Sequence, residues 1–110
     1  MKTILIFLIF TVTSAFPSVQ PLKGLYECKN GNEESICDQI VKPFYVGYEL
    51  TAISVEYVGW CGSMGPYLYA CENEVCEDPG LKFKFKSSTK YHWENKQYGF
   101  RCDFEKKNKS

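Results

Sequence analysis

Six cysteines, Cys28, Cys37, Cys61, Cys71, Cys76 and Cys102, constrain this chain more than any other feature. Their number is even and all of them follow an apolar leader, so three disulfides formed in an oxidising compartment are expected. The leader is residues 1–15, MKTILIFLIFTVTSA, with one early lysine, an apolar run from Ile4 to Val12 and small residues at its end. That is the layout of a secretory signal peptide cleaved after Ala15. The run is too short for a permanent membrane span, and no later stretch is apolar enough to provide one. An exported, monomeric protein with no membrane partner is therefore expected. The remaining residues, 16–110, suffice for one disulfide-bonded domain with a modest core, because small domains bury a smaller fraction of their surface. Each disulfide adds about 2 to 4 kcal/mol, a large share of the net stability of such a domain. There is no Cys-x-x-Cys pair and His92 is the single histidine, so neither a metal site nor a cofactor is expected.

The formal net charge is zero, but the charges are unevenly placed. Residues 16–80 carry three lysines against ten carboxylates, and residues 81–110 carry eight lysines and Arg101 against three carboxylates. Such asymmetry is satisfied either by attraction between the two parts within the fold or by a polyanion bound to a basic face. The alternating run Leu81 to Lys86, LKFKFK, is the clearest strand in the chain. It places Lys82, Lys84 and Lys86 on one face and Phe83 and Phe85 on the other. A lysine row also guards a sheet edge against aggregation.

Residues 91–104, YHWENKQYGFRCDF, read as a β-hairpin around a polar turn. Its second arm puts Tyr98, Phe100, Cys102 and Phe104 on one face, and its first arm groups Tyr91 with Trp93 and opposes His92. Leu25 to Cys28 and Tyr67 to Cys71 are further strand candidates. Leu50 to Val58 is the expected central strand, with Thr51, Ile53, Val55 and Tyr57 sharing a face. Ser35 followed by Asp38 has the form of a helix N-cap and capping box, and Ile36, Ile40 and Val41 recur at helical spacing before Pro43. A short helix of about two turns is expected there. Gly59 to Pro66 reads as a glycine-rich turn, and Glu72 to Gly80 as a solvated acidic loop. Calcium ligands in that loop would lack the regular order of an EF-hand. Asn108-Lys109-Ser110 is formally a glycosylation sequon. The expected fold class is α+β, a short helix packed on a four- to five-stranded antiparallel sheet.

Catalysis has few candidates. Glu56, His92 and Arg101 could converge if the strand of Glu56 lay beside the terminal hairpin. A carboxylate would then take a ribose hydroxyl proton, His92 would protonate the leaving oxygen and Arg101 would hold the phosphate. Six cysteines expected to be oxidised leave no thiol nucleophile. The better expectation is a non-enzymatic protein with no catalytic residues.

Tyr26-Glu27-Cys28 forms an aromatic-x-Cys motif soon after the leader, and Arg101-Cys102-Asp103-Phe104 supplies a cysteine near the other end. In that layout the chain resembles the ribonuclease-like haustorial proteins, small secreted effectors of powdery mildew fungi. The resemblance implies a compact ribonuclease-like fold and a disulfide between Cys28 and Cys102. It also implies delivery into the cytoplasm of a plant cell, where such proteins act in virulence by modulating immunity or are detected by intracellular receptors. Active ribonucleases of this kind place a histidine after the catalytic arginine, whereas His92 precedes Arg101, so the resemblance implies a non-catalytic relative.

The expectation from sequence is thus a secreted effector that binds a host protein, such as an immune receptor, or RNA. Its binding residues would be Lys82, Lys84, Lys86, Tyr91, Trp93 and Arg101, with rings stacking on bases and cations following phosphates. Two alternatives stand beside it. One is an active secreted ribonuclease or toxin using Glu56, His92 and Arg101. The other is a disulfide-rich extracellular inhibitor or venom-type binding module presenting Gly59 to Pro66.

Overall fold

The computed structural model describes residues 19–108; the expected signal peptide and the last two residues of the sequon lie outside them. Eight strands follow one another among the described residues. They are β1 (Gly24–Cys28), β2 (Gln39–Val46), β3 (Glu49–Tyr57), β4 (Met64–Glu72), β5 (Val75–Glu77), β6 (Leu81–Ser87), β7 (Lys90–Asn95) and β8 (Phe100–Lys106). Each pairs antiparallel with the next, and β8 returns to pair with β1 through Tyr26↔Lys106 and Cys28↔Phe104. The sheet closes into an up-and-down barrel, so no strand is left as an edge along its whole length.

This overturns the α+β expectation. No α-helix forms among the described residues, and the sheet has eight strands instead of four or five. The residues that looked like a helix start make other bonds. Ser35 Oγ donates to Glu33 Oε2, Asp38 Oδ1 accepts from the Cys28 backbone N–H, and the Asp38 carbonyl accepts from Val58 N. From Gln39 onward the chain alternates, with Gln39 and Val41 buried and Ile40 and Lys42 exposed. That period of two settles the segment as strand, because it lets β1 and β3 pair on either side. Pro43 is tolerated because β1 pairs only as far as Val41, leaving one edge of β2 without a neighbour at that point. The acidic segment expected to be a loop contains β5, held against β4 by the Cys71–Cys76 disulfide. A ribonuclease-like scaffold is therefore excluded as the fold.

The interior is aromatic. Tyr91 sits at its centre, 1% exposed, with its ring centroid 5.0 Å from Tyr26, 4.9 Å from Phe85 and 5.1 Å from Phe104, the last nearly parallel. Aromatic pairs at these separations add to what burial alone contributes. In β3 a register shift opposite Phe44/Tyr45 brings both Leu50 and Ile53 inward, although they are an odd number of residues apart. Thr51, expected to share the inner face, is the extra residue.

The two ends of the barrel differ. At one end tight turns join β2 to β3, β4 to β5 and β6 to β7, and residues 19–23 cross it. Pro21 is fully buried there and Val19 packs on the core. Tyr26 Oη donates to the Leu22 carbonyl at 2.6 Å, and Tyr45 Oη donates to the Pro21 carbonyl at 2.6 Å. The opposite end carries the longer connections, residues 29–38 and 58–63, together with the β5–β6 and β7–β8 turns. Cys37–Cys61 ties the two long connections to each other, and Cys28–Cys102 crosses the β1–β8 seam. Gly31 lies against that seam bridge, and a Cβ there would come within 2.8 Å of Cys28 Sγ, so the Asn-Gly turn needs its glycine for space.

Candidate functional site

The end with the long connections opens into a cavity of about 410 Å³. Eight strands make a barrel just wide enough to be filled by side chains or to hold one small ligand. In this barrel the filled part stops at the Tyr91 cluster and the rest is left open. Its walls are rings that the pleat turns inward: Tyr57 from β3, Tyr67 and Tyr69 from β4, Trp93 from β7 and Phe100 from β8, with Tyr98 of the β7–β8 turn at the rim. Ile36, Met64 and Leu81 fill between them, and the Cys37–Cys61 bridge forms part of the wall. The wall rings pack on one another. Tyr57 and Tyr67 are tilted at 49° with centroids 6.0 Å apart, and Tyr98 stacks on Phe100 at 5.7 Å.

Polar groups in the cavity are few, and none of its lining residues is Lys, Arg, His, Asp or Glu. The Tyr57 and Tyr69 hydroxyls bond to each other at 3.1 Å. Burial, first of all, and then the bond to Tyr69 push the Tyr57 phenol far above its ordinary pKa. Burial also raises Tyr69, with the bond to Tyr57 pulling it partly back. Gln39 is completely buried, and its Oε1 accepts a 2.5 Å hydrogen bond from Tyr91 Oη. That bond aims the amide Nε2 the other way, where it meets no acceptor among the described residues. The Trp93 indole, 5% exposed, lies near enough to the Tyr57 hydroxyl to oppose part of its upward shift. Even so, no acceptor meets Trp93 Nε1 in hydrogen-bond geometry among the described residues.

The residues expected to bind from sequence are divided between the inside and outside of the barrel. Tyr91 and Trp93 point inward, while Lys82, Lys84, Lys86 and Arg101 belong to the outer face. The charges on that face stand opposite one another: Lys82 is in register with Glu77 and Glu94, and Arg101 with Glu94. Lys84 faces His92, which in turn faces Asp103. His92 Nδ1 lies 2.8 Å from Asp103 Oδ1, and this hydrogen bond is the main reason the Asp103 carboxyl is held below its ordinary pKa. The basic last third is thus interleaved with carboxylates. Glu56 is not brought to His92. It sits on β3, whose neighbours are β2 and β4, and accepts a hydrogen bond from Ser63 Oγ. Arg101 and His92 lie diagonally on adjacent strands. The segment Gly59 to Pro66 does not act as one presented loop: it enters the 3-10 turn Gly59–Cys61 and then β4, leaving Trp60 72% exposed beside the mouth. Among the described residues no cluster of His, Cys, Asp or Glu could hold a metal.

Of the binding residues named from sequence, Trp93 alone lines the cavity. Gln39, Tyr57, Tyr67, Tyr69, Tyr98 and Phe100 were missed as a set because they come from five different segments. One local signal was available in Gln39-Ile40-Val41, which read with a period of two places a glutamine on the buried face. A polar residue there asks for a partner. Comparison with protein-family models, curated proteins and solved structures found no match to this chain.

Proposed function

We propose that this is an exported, non-catalytic binding protein that holds one small apolar molecule in the open end of its barrel. The observation that carries the reading is the aromatic-walled cavity of about 410 Å³ inside an otherwise filled barrel. Small-ligand sites are typically concave, largely apolar and about this size, with a few placed polar groups. The two Cys37–Cys61-linked connections make a rigid rim, which limits the conformational entropy lost on binding. An effector acting on a host would, on this reading, work by capturing a small molecule. The interleaved charges of β6, β7 and β8 favour this over RNA, since phosphate tracking needs a basic groove without facing carboxylates.

The test is titration of the oxidised protein with N-phenyl-1-naphthylamine, a neutral probe that fluoresces in apolar surroundings. Saturable binding with one site per chain is expected. Met64→Lys and Tyr98→Lys place ammonium groups at the mouth and should weaken it at least about tenfold, because an ammonium resists desolvation against an apolar ligand. Leu68→Lys, on the outer face of β4, should leave it unchanged. A lack of saturable binding, or equal loss in Leu68→Lys, would overturn the proposal.

A further inference from the structure

Two buried N–H donors, Gln39 Nε2 and Trp93 Nε1, come from opposite sides of the barrel and border the same cavity, and neither has a partner among the described residues. Folded proteins rarely leave such groups unserved, since each costs free energy that nothing in the fold returns. Their surroundings are otherwise well matched: Gln39 Oε1 is bonded to Tyr91, and the Tyr57 and Tyr69 hydroxyls are bonded to each other. The two buried side-chain atoms left without any partner among the described residues are thus both donors. A ligand that completes them must supply an acceptor.

The rest of the lining restricts the ligand further. With no cation among the lining residues, a carboxylate or phosphate would enter without a counter-charge, at heavy desolvation cost. An ammonium group finds ring faces to rest on but brings no acceptor, so it would leave both N–H groups unmet. The many ring faces in the wall suit a flat ring system. Resting on the proposal that the cavity binds an apolar molecule, we infer that its ligands are neutral, planar aromatic compounds bearing a carbonyl oxygen. The oxygen goes to the floor and accepts from Gln39 Nε2, Trp93 Nε1 or both, while the ring lies among the wall aromatics. Both residues line the cavity while both nitrogens are buried, so the acceptor reaches them only when a side chain turns.

Three matched probes separate this from simple apolar binding. 2-Acetylnaphthalene carries the carbonyl, 2-isopropenylnaphthalene replaces its oxygen with a methylene of nearly the same shape, and 2-naphthoate carries a charge. Binding is measured by calorimetry on the oxidised full-length secreted protein. The ketone is expected to bind about tenfold tighter than the hydrocarbon, the effect of one recovered buried hydrogen bond, and the carboxylate weaker than both. Trp93→Phe keeps an aromatic ring but removes the indole N–H, and Gln39→Leu removes the amide. The ketone-to-hydrocarbon ratio should fall towards one in at least one of these variants, whatever the change in overall affinity. Gln39→Leu also strips Tyr91 of its acceptor, so circular dichroism accompanies it, and if that variant fails to fold Trp93→Phe decides alone.

Equal affinity for ketone and hydrocarbon would overturn this inference and leave the apolar cavity standing. A ketone preference that survives in every folded variant would overturn the assignment of the donors. Absence of binding by all three probes would remove the inference together with the function on which it rests.

Discussion

The three disulfides should differ in what they hold, and their loop lengths set the order. In the chain-entropy account, a bridge stabilises by shortening the unfolded chain, and more so for a longer loop. Cys28–Cys102 spans a sequence separation of 74, which corresponds to about 4.5 kcal/mol. Cys37–Cys61, with a separation of 24, corresponds to about 3.5 kcal/mol, and Cys71–Cys76, with 5, to about 2 kcal/mol. A domain of this size has about 5 to 14 kcal/mol in all, so loss of the first bridge removes between about a third and nearly the whole of it. The perturbation is replacement of each pair by alanine, and the assay is urea unfolding followed by circular dichroism. Binding should not follow the same order. Cys37–Cys61 is the bridge that joins the two connections at the mouth, and it also forms part of the cavity wall. Without it, ligand binding must order those connections. Fixing even one residue costs about 1 to 2 kcal/mol, so naphthylamine affinity should drop at least about fivefold. Cys71→Ala/Cys76→Ala, at the far end, should bind normally. If that variant loses as much stability as Cys28→Ala/Cys102→Ala, the chain-entropy ranking is refuted. If loss of Cys37–Cys61 leaves affinity untouched, the mouth is not the site.

Two further predictions concern pH. Burial pushes the Tyr26 phenol up to about 12 and also raises the phenols of Tyr57 and Tyr91. In the unfolded chain these phenols ionise near pH 10, so above that the unfolded state binds fewer protons than the folded one and stability falls as pH rises. Phenolate absorbance from the three should therefore appear together with loss of the circular dichroism signal; smooth ionisation in an intact barrel would contradict the burial. The Asp103 carboxyl is lowered by its bond to His92, so its contribution is fully present above the unfolded carboxylate value near pH 4 and disappears as pH falls through the folded value. The pair is half exposed, which limits it to about 0.2 to 1 kcal/mol. Asp103→Asn should flatten the acid limb of the stability curve by that much, and a change of several kcal/mol would mean that the pair holds more than itself.

Local pattern reached some elements and missed others for identifiable reasons. The alternation in Leu81 to Lys86 and the hairpin at 91–104 are short-range signals, and both segments are strands with Phe83, Phe85, Tyr91 and Trp93 buried as the alternation requires. The segment after Ser35 misled because a cap-like Ser and Asp and a helical spacing of Ile and Val compete with a period of two over the same few residues. Pairing with both β1 and β3 decided between them. The short strand β5 carries too little alternation to be seen in an acidic run, and it exists because β4 and β6 flank it. The Cys28–Cys102 bond is the one that the family resemblance implied, yet it belongs here to a different scaffold. A barrel closed by its first and last strands brings the two ends of a chain together as surely as a ribonuclease-like fold does.

Composition and local order by themselves determined that this is a small, cysteine-stapled domain with several alternating strands. Those properties depend on residue type and on neighbours within a few positions. Closure of the sheet, the end at which the cavity opens and the meeting of Gln39 with Trp93 were decided by tertiary structure alone. Each depends on strands distant in sequence becoming neighbours around one axis, and on the handful of long-range hydrogen bonds and bridges that fix their register.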